Sequence, residues 1–167
     1  PGPEGEGRWV YGDNYQSYGL FETKSDTPGL PNEIALHFNE GSWRDDQYRL
    51  RRYTIRLDGF VSLHAPLAGG ELTTKPLTFT GQRLSVNYAT SAAGSLRVEI
   101  QDAAGTPIPG FTLADAEEMY GDSTAHHAAW KTGGDVSRLA GQPVRIRFQL
   151  RDADLYSFRF CPAPVSQ

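Results

Sequence analysis

Apolar and polar residues alternate with period two along most of this chain, the pattern of half-buried β-strands. EIALHFN sets Ile34, Leu36 and Phe38 against Glu33, Ala35 and His37. RLSVNYAT and SLRVEIQD point Leu84, Val86 and Tyr88, then Leu96, Val98 and Ile100, toward a core, as two strands joined by SAAG. VRIRFQLRD and LYSFRF read as two closing strands hinged at RDAD. QYRLRRYTIRLDGFVSLHAP is a strand, a glycine-containing turn and a second strand. Its Arg49, Arg51, Arg52 and Arg56 are expected to line one sheet face, paired with Asp or Glu of neighbouring strands, while the other face packs on a core. Shorter strands are expected at Leu20–Thr23, at Leu72–Phe79 with Pro76 marking an edge, and at Ala125–Trp130. FTLADAEEMYGD is a helical turn or a crossing loop that Thr112 can cap, with Asp115 three residues on. About ten to twelve short strands suit an all-β, two-sheet antiparallel sandwich of jelly-roll type.

Composition narrows the class. The chain has 167 residues, with 18 Gly and 11 Pro, which fits strands joined by tight turns. Three segments are expected: a flexible, aromatic-bearing leader over 1–17, a β-hairpin segment over 18–66, and the sandwich over 67–167. A net charge of -4 argues against nucleic acid, which calls for a basic face. No apolar run reaches the ~20 residues of a membrane helix, so no membrane partner is expected. The opening PGPEGEGRW lacks the basic-then-apolar order of a secretion signal. Cys161 is single and is expected to be a small buried hydrophobe.

Catalytic patterns are lacking. Glycoside hydrolysis needs two carboxyl groups ~5–10 Å apart, one of them held protonated. The close acidic pairs are Glu117–Glu118 and Asp152/Asp154, and the second reads more simply as a solvated turn. Asp152 and Asp154 are also the candidate ligands for a structural calcium, although spacing supplies no third ligand. His126 and His127 are adjacent, so on a strand they face opposite ways and make no metal pair. No G-x-S-x-G elbow is present, and Gly69-Gly70 and Gly133-Gly134 are turn glycines without a following helix. Aromatics offer more, because flat rings stack on the C–H faces of sugars while polar neighbours take hydroxyls. Trp43 with Arg44 sits in a polar loop, Tyr120 in an acidic loop, and Trp130 lies close to His127. These five are the candidate ligand-binding residues. Core plugging is the competing role, since Trp is highly buried on average.

Two segments carry a resemblance. SAAGSLRVEIQDAAGTPIPGF and DVSRLAGQPVRIRFQLRDADLYSFRF resemble a jelly-roll sandwich of the galactose-binding-like kind, common among carbohydrate-binding modules. NEIALHFNEGSW followed by YRLRRYTIRLDGFVSLHAP resembles the last blade and exit strand of bacterial five-bladed-propeller glycoside hydrolases related to the fructan-cleaving enzymes. Such proteins often carry a C-terminal β-sandwich, and their catalytic carboxylates come from earlier blades. The resemblance therefore implies a non-catalytic carbohydrate-binding or accessory module of a secreted or cell-surface polysaccharide-degrading protein. Its partners would be a polysaccharide or oligosaccharide and a propeller catalytic domain. The alternatives are a structural C-terminal domain bracing a propeller enzyme without binding sugar, and a small glycoside hydrolase.

Overall fold

A computed structural model describes residues 15–41 and 48–162. The described residues are all-β, with two antiparallel sheets and one short 3₁₀ turn over Ser137–Leu139. The chain divides into two compact units, Pro1–Phe60 and Val61–Gln167. The hairpin segment expected to run to residue 66 thus ends earlier, because strand β4 (Leu63–Ala65) pairs with β8 of the second unit.

The first unit is a three-stranded meander, β1 (Gln16–Thr23), β2 (Glu33–Glu40) and β3 (Arg49–Arg56), in the order β1-β2-β3. Strand β1 takes in Gln16 and Ser17, so the end of the expected leader is ordered; residues 1–14 lie outside the described part. Register corrects the one-faced arginine pattern. Glu40 lies opposite Arg49 and Phe38 opposite Arg51, whereas His37 lies opposite Arg52 and Glu33 opposite Arg56. Directly opposed residues share a face, so Arg49 and Arg51 occupy one face and Arg52 and Arg56 the other.

The expected pairing with carboxylates is present on both faces. Arg49 Nε lies 2.9 Å and Arg51 Nε 3.2 Å from Glu40 Oε2. The Tyr53 hydroxyl donates to the other Glu40 oxygen, and the Tyr53 ring meets Phe38 edge-on at 5.5 Å. On the opposite face Arg52 bridges Asp26 and the Thr23 hydroxyl, each at 2.8 Å. Glu40 itself is buried. Burial pushes its carboxyl upward, but the bonds from Tyr53 and Arg49 and the Arg51 charge outweigh that and hold it below its ordinary range.

The second unit is built on two long strands, β6 (Arg83–Asp102) and β8 (Val144–Cys161). Around them lie β4, β5 (Gly70–Thr73) and β7 (Asp122–His127), in the order β4-β8-β6-β7 with β5 also on β8. Beyond β5 the chain follows the same outer edge, where the Leu77 N–H donates to the Val144 carbonyl at 2.8 Å; Pro76 sits on that edge as expected. The β6–β8 ladder runs from Arg83↔Cys161 to Asp102↔Val144 and shifts between Thr90↔Ala153 and Ser95↔Arg151. Four residues, Ser91–Gly94, there oppose the single Asp152, whose φ is 43°. A surplus of residues on one strand bends and twists a ladder. The turn expected at SAAG and the hinge expected at RDAD are therefore the two sides of one bulge within continuous strands.

Both halves of this bent ribbon feed one core. Leu84, Val86, Tyr88, Leu96, Val98 and Ile100 of β6 are at most 1% exposed, as the alternation predicts. Val144, Ile146, Phe148 and Leu150 of β8 join them, with Phe111, Met119, Trp130 and Val136 from the connecting segments. The segment 111–122 is a turn followed by an extended stretch, not a helix. Its Thr112 Oγ1 accepts from the Asp115 N–H at 3.3 Å and donates to the Asp115 carboxylate at 2.9 Å, the expected cap.

Two predictions arise from these contacts. A Cβ at Gly94 would meet the Asp152 carbonyl oxygen at 2.3 Å and that of Arg151 at 2.8 Å. Gly94→Ala should lower stability by about 1–3 kcal/mol, as overpacking does, read as a lower urea midpoint at unchanged slope. Glu40→Gln tests the carboxylate anchor. Because the folded pKa lies below the ordinary 4.5, the ionised group stabilises the fold above that value and the stabilisation is lost as pH falls through the folded pKa. The melting-temperature gap between parent and variant should be full at neutral pH and close as pH drops below about 4.5.

Candidate functional site

The outer face of the second unit's sheet carries a polar groove of about 530 Å³. Its walls follow from register. Leu96 and Met119 form a reciprocal antiparallel bridge, with N–H···O distances of 2.8 and 2.9 Å. Residues flanking such a bridge are neighbours, so Arg97 adjoins Glu118 and Ser95 adjoins Tyr120. Met119 is buried, which by strand alternation turns Glu118 and Tyr120 outward; Tyr120 is 77% exposed. On β8, Gln149 lies opposite Arg97 and Arg151 opposite Ser95, and on β5 Glu71 lies opposite Gln149. One rung across the face is thus Glu71–Gln149–Arg97–Glu118, and the next is Arg151–Ser95–Tyr120.

Hydrogen bonds lock most of these side chains. Gln149 Nε2 donates to Glu71 at 3.2 Å, and Arg97 Nη2 donates to Glu118 at 3.4 Å. At one end Arg147 forks onto both oxygens of Glu71, at 2.9 and 2.8 Å, and reaches Glu99 at 3.2 Å. Glu99 is buried and also accepts from Gln101 Nε2 at 2.8 Å and the Leu113 N–H at 3.0 Å. The bonds from Arg147 and Gln149 hold the Glu71 carboxyl below the usual range. The Ser95 hydroxyl, with Arg97, does the same for Glu118. For Glu99 burial acts upward, but the bonds from Gln101, Leu113 and Arg147 prevail and its carboxyl also lies low. All three are therefore carboxylates at neutral pH. Arg151 differs from its neighbours: it is exposed, and among the described residues it has no hydrogen-bond or ion-pair partner. Its charge reaches Glu118 only at longer range.

The expected binding residues scatter. Tyr120 is exposed and adjoins Ser95, one of the residues that line this groove. His127, at the end of β7, lies opposite Ser85 on the far side of the bulge and lines a separate cleft of about 350 Å³ with Arg83 and Asp135. Trp43 and Arg44 lie outside the described residues. Trp130 is a core plug, which corrects its expected role as an exposed platform. It is 1% exposed, its Nε1–H donates to the Val98 carbonyl at 2.9 Å, and its ring meets Phe111 edge-on at 5.0 Å. Strand β7 ends at His127, before Trp130, and a tight turn to Gly133 then folds the indole inward.

The acidic pairs also part. Glu117 hydrogen-bonds through its backbone to Ala129 and, on an extended segment, faces away from Glu118. Asp152 forms the bulge, whereas Asp154 accepts from the Ser62 hydroxyl at 2.7 Å and lies 3.3 Å from His64 Nδ1. Among the described residues no three His, Cys, Asp or Glu side chains gather as a metal site. Arg97, Gln149, Arg151, Ser95 and Glu71 were not singled out by sequence. Their signal was present as the polar phase of SLRVEIQD and VRIRFQLRD, but which polar residues oppose one another depends on pairing register.

No protein-family model, no curated protein and no solved structure matches the chain. Among the described residues no helix is long and apolar enough to cross a membrane.

Trp130→Ala should destabilise the second unit by about 3–5 kcal/mol, the cost of emptying a large aromatic site in a core. Urea unfolding of parent and variant monitored by circular dichroism checks it. A loss below 1 kcal/mol would contradict the core assignment.

Proposed function

We propose that this protein is a non-catalytic carbohydrate-binding or accessory module of a polysaccharide-degrading protein, and that it holds a glycan in the groove that ends at Tyr120. One observation carries the proposal: an exposed tyrosine lies beside Ser95 on the same sheet face as a row of hydrogen-bonded polar side chains. Such a row matches the alternating donors and acceptors of sugar hydroxyls, and the flat ring matches a sugar's C–H face. Preformed side-chain geometry also lowers the ordering cost of binding. A partner of this kind goes with a location outside the cell or on its surface, which we propose together with it.

The electrostatics support binding over hydrolysis. A glycosidase needs one carboxyl group that keeps its proton near neutrality. Glu71 and Glu118, the acids of the groove, are both pushed the other way by their bonded donors. A second function, bracing a propeller enzyme without binding sugar, is favoured by the exposed Val61, Leu63 and Leu67 at the start of the second unit.

Affinity electrophoresis of the whole chain against a panel of soluble neutral and acidic polysaccharides separates the two. Retardation by at least one glycan is expected, weakened in Tyr120→Ala by a factor corresponding to about 1–3 kcal/mol, by analogy with other ring-on-aromatic stacking. Free migration through every polysaccharide, or retardation indifferent to both Tyr120→Ala and Gln149→Ala, would leave the bracing role.

A further inference from the structure

We infer that the glycan is acidic, a polymer bearing carboxylate groups, and that Arg151 is its charge contact; the inference rests on the groove being a glycan site. The argument is an account of donors and acceptors. Both carboxylates of the groove have their oxygens engaged, Glu71 by Arg147 and Gln149 and Glu118 by Ser95 and Arg97, and the buried Glu99 next to them is engaged by Gln101, Leu113 and Arg147. Arg147 spends its guanidinium on two of these acids, and Arg97 faces the third. Arg151 alone in the two rungs brings a planar fork of five N–H donors with no described partner. What the groove lacks is therefore an acceptor of matching shape, and a carboxylate matches that fork with two parallel bonds. A hydroxyl offers a single oxygen and so cannot take two parallel bonds.

Position supports the same class. Arg151, Ser95 and Tyr120 are consecutive across the sheet. Two strand spacings, about 9–10 Å, separate the guanidinium's strand from the tyrosine's. Stacking and charge contact thus fall on neighbouring parts of one extended chain, which suits a polymer with acid groups at regular intervals. The chain's net charge of -4 does not oppose this, because the contact is a single oriented fork within a locally balanced cluster and needs no broad basic face.

The test uses one polymer in two forms, polygalacturonate and its carboxyl-reduced counterpart, with the whole chain. The acidic form should bind at least tenfold more tightly than the reduced form, and the difference should shrink with added salt. Arg151→Gln should weaken binding of the acidic form at least tenfold and leave the reduced form unaffected, while Arg151→Lys, which keeps the charge but not the fork, should recover only part. Melting temperatures should be unchanged, since the side chain is exposed and unpartnered. Equal binding of the two forms, or acidic binding that survives Arg151→Gln, overturns the inference; if Tyr120→Ala still weakens that binding, the glycan site itself stands. Failure of both forms and of the neutral panel to bind removes the site and the inference together.

Discussion

The second unit depends on one backbone constraint, the bulge at which Ser91–Gly94 faces Asp152. Two strands of 20 and 18 residues, paired along nearly their full length, would make a long flat ribbon with no interior of its own. The bulge bends both strands at the same place, so the inward residues of their two halves join a single core. It works because position 94 has no Cβ to strike the Arg151 and Asp152 carbonyls, and because Asp is among the few residues that tolerate a left-handed φ. The same bend separates the outer face into two territories, which is why His127 and Tyr120 do not meet.

Arginine–carboxylate geometry is the second organising force, and it takes two forms. In the first unit one buried acid, Glu40, is held by Arg49, Arg51 and Tyr53. In the second unit one arginine, Arg147, is held by two acids, Glu71 and Glu99. A buried charge missing any partner would be costly, so these networks are satisfied before any ligand arrives. That satisfaction sets Arg151 apart: among committed groups, its exposed guanidinium is the one in the two rungs without a described hydrogen-bond partner.

Much of the fold was legible in the sequence because strand alternation is a local property. The inward positions of SLRVEIQD and VRIRFQLRD, the edge role of Pro76 and the Thr112–Asp115 cap each depend on residues a few positions apart. Ion pairing of the arginine-rich strand was legible too, although its distribution over two faces was not, because Arg51 and Arg52 are adjacent and only the partner strand shows which way each points. Trp130 shows the limit most clearly. Its place close to His127 suggested a ring open to a ligand, yet the turn to Gly133 and the Val98 carbonyl, far away in sequence, draw the indole inward.

By itself, the sequence determined the class of the protein, all-β and weakly acidic. It also determined which positions of each strand are apolar, since side chains alternate whatever the partner strand may be. Only the tertiary structure decided that four apparent strands are two, that the groove's polar side chains belong to one surface, and that Tyr120 lies beside Ser95 on that surface. Those facts rest on register between segments tens of residues apart, and a period-two pattern is the same in every even register.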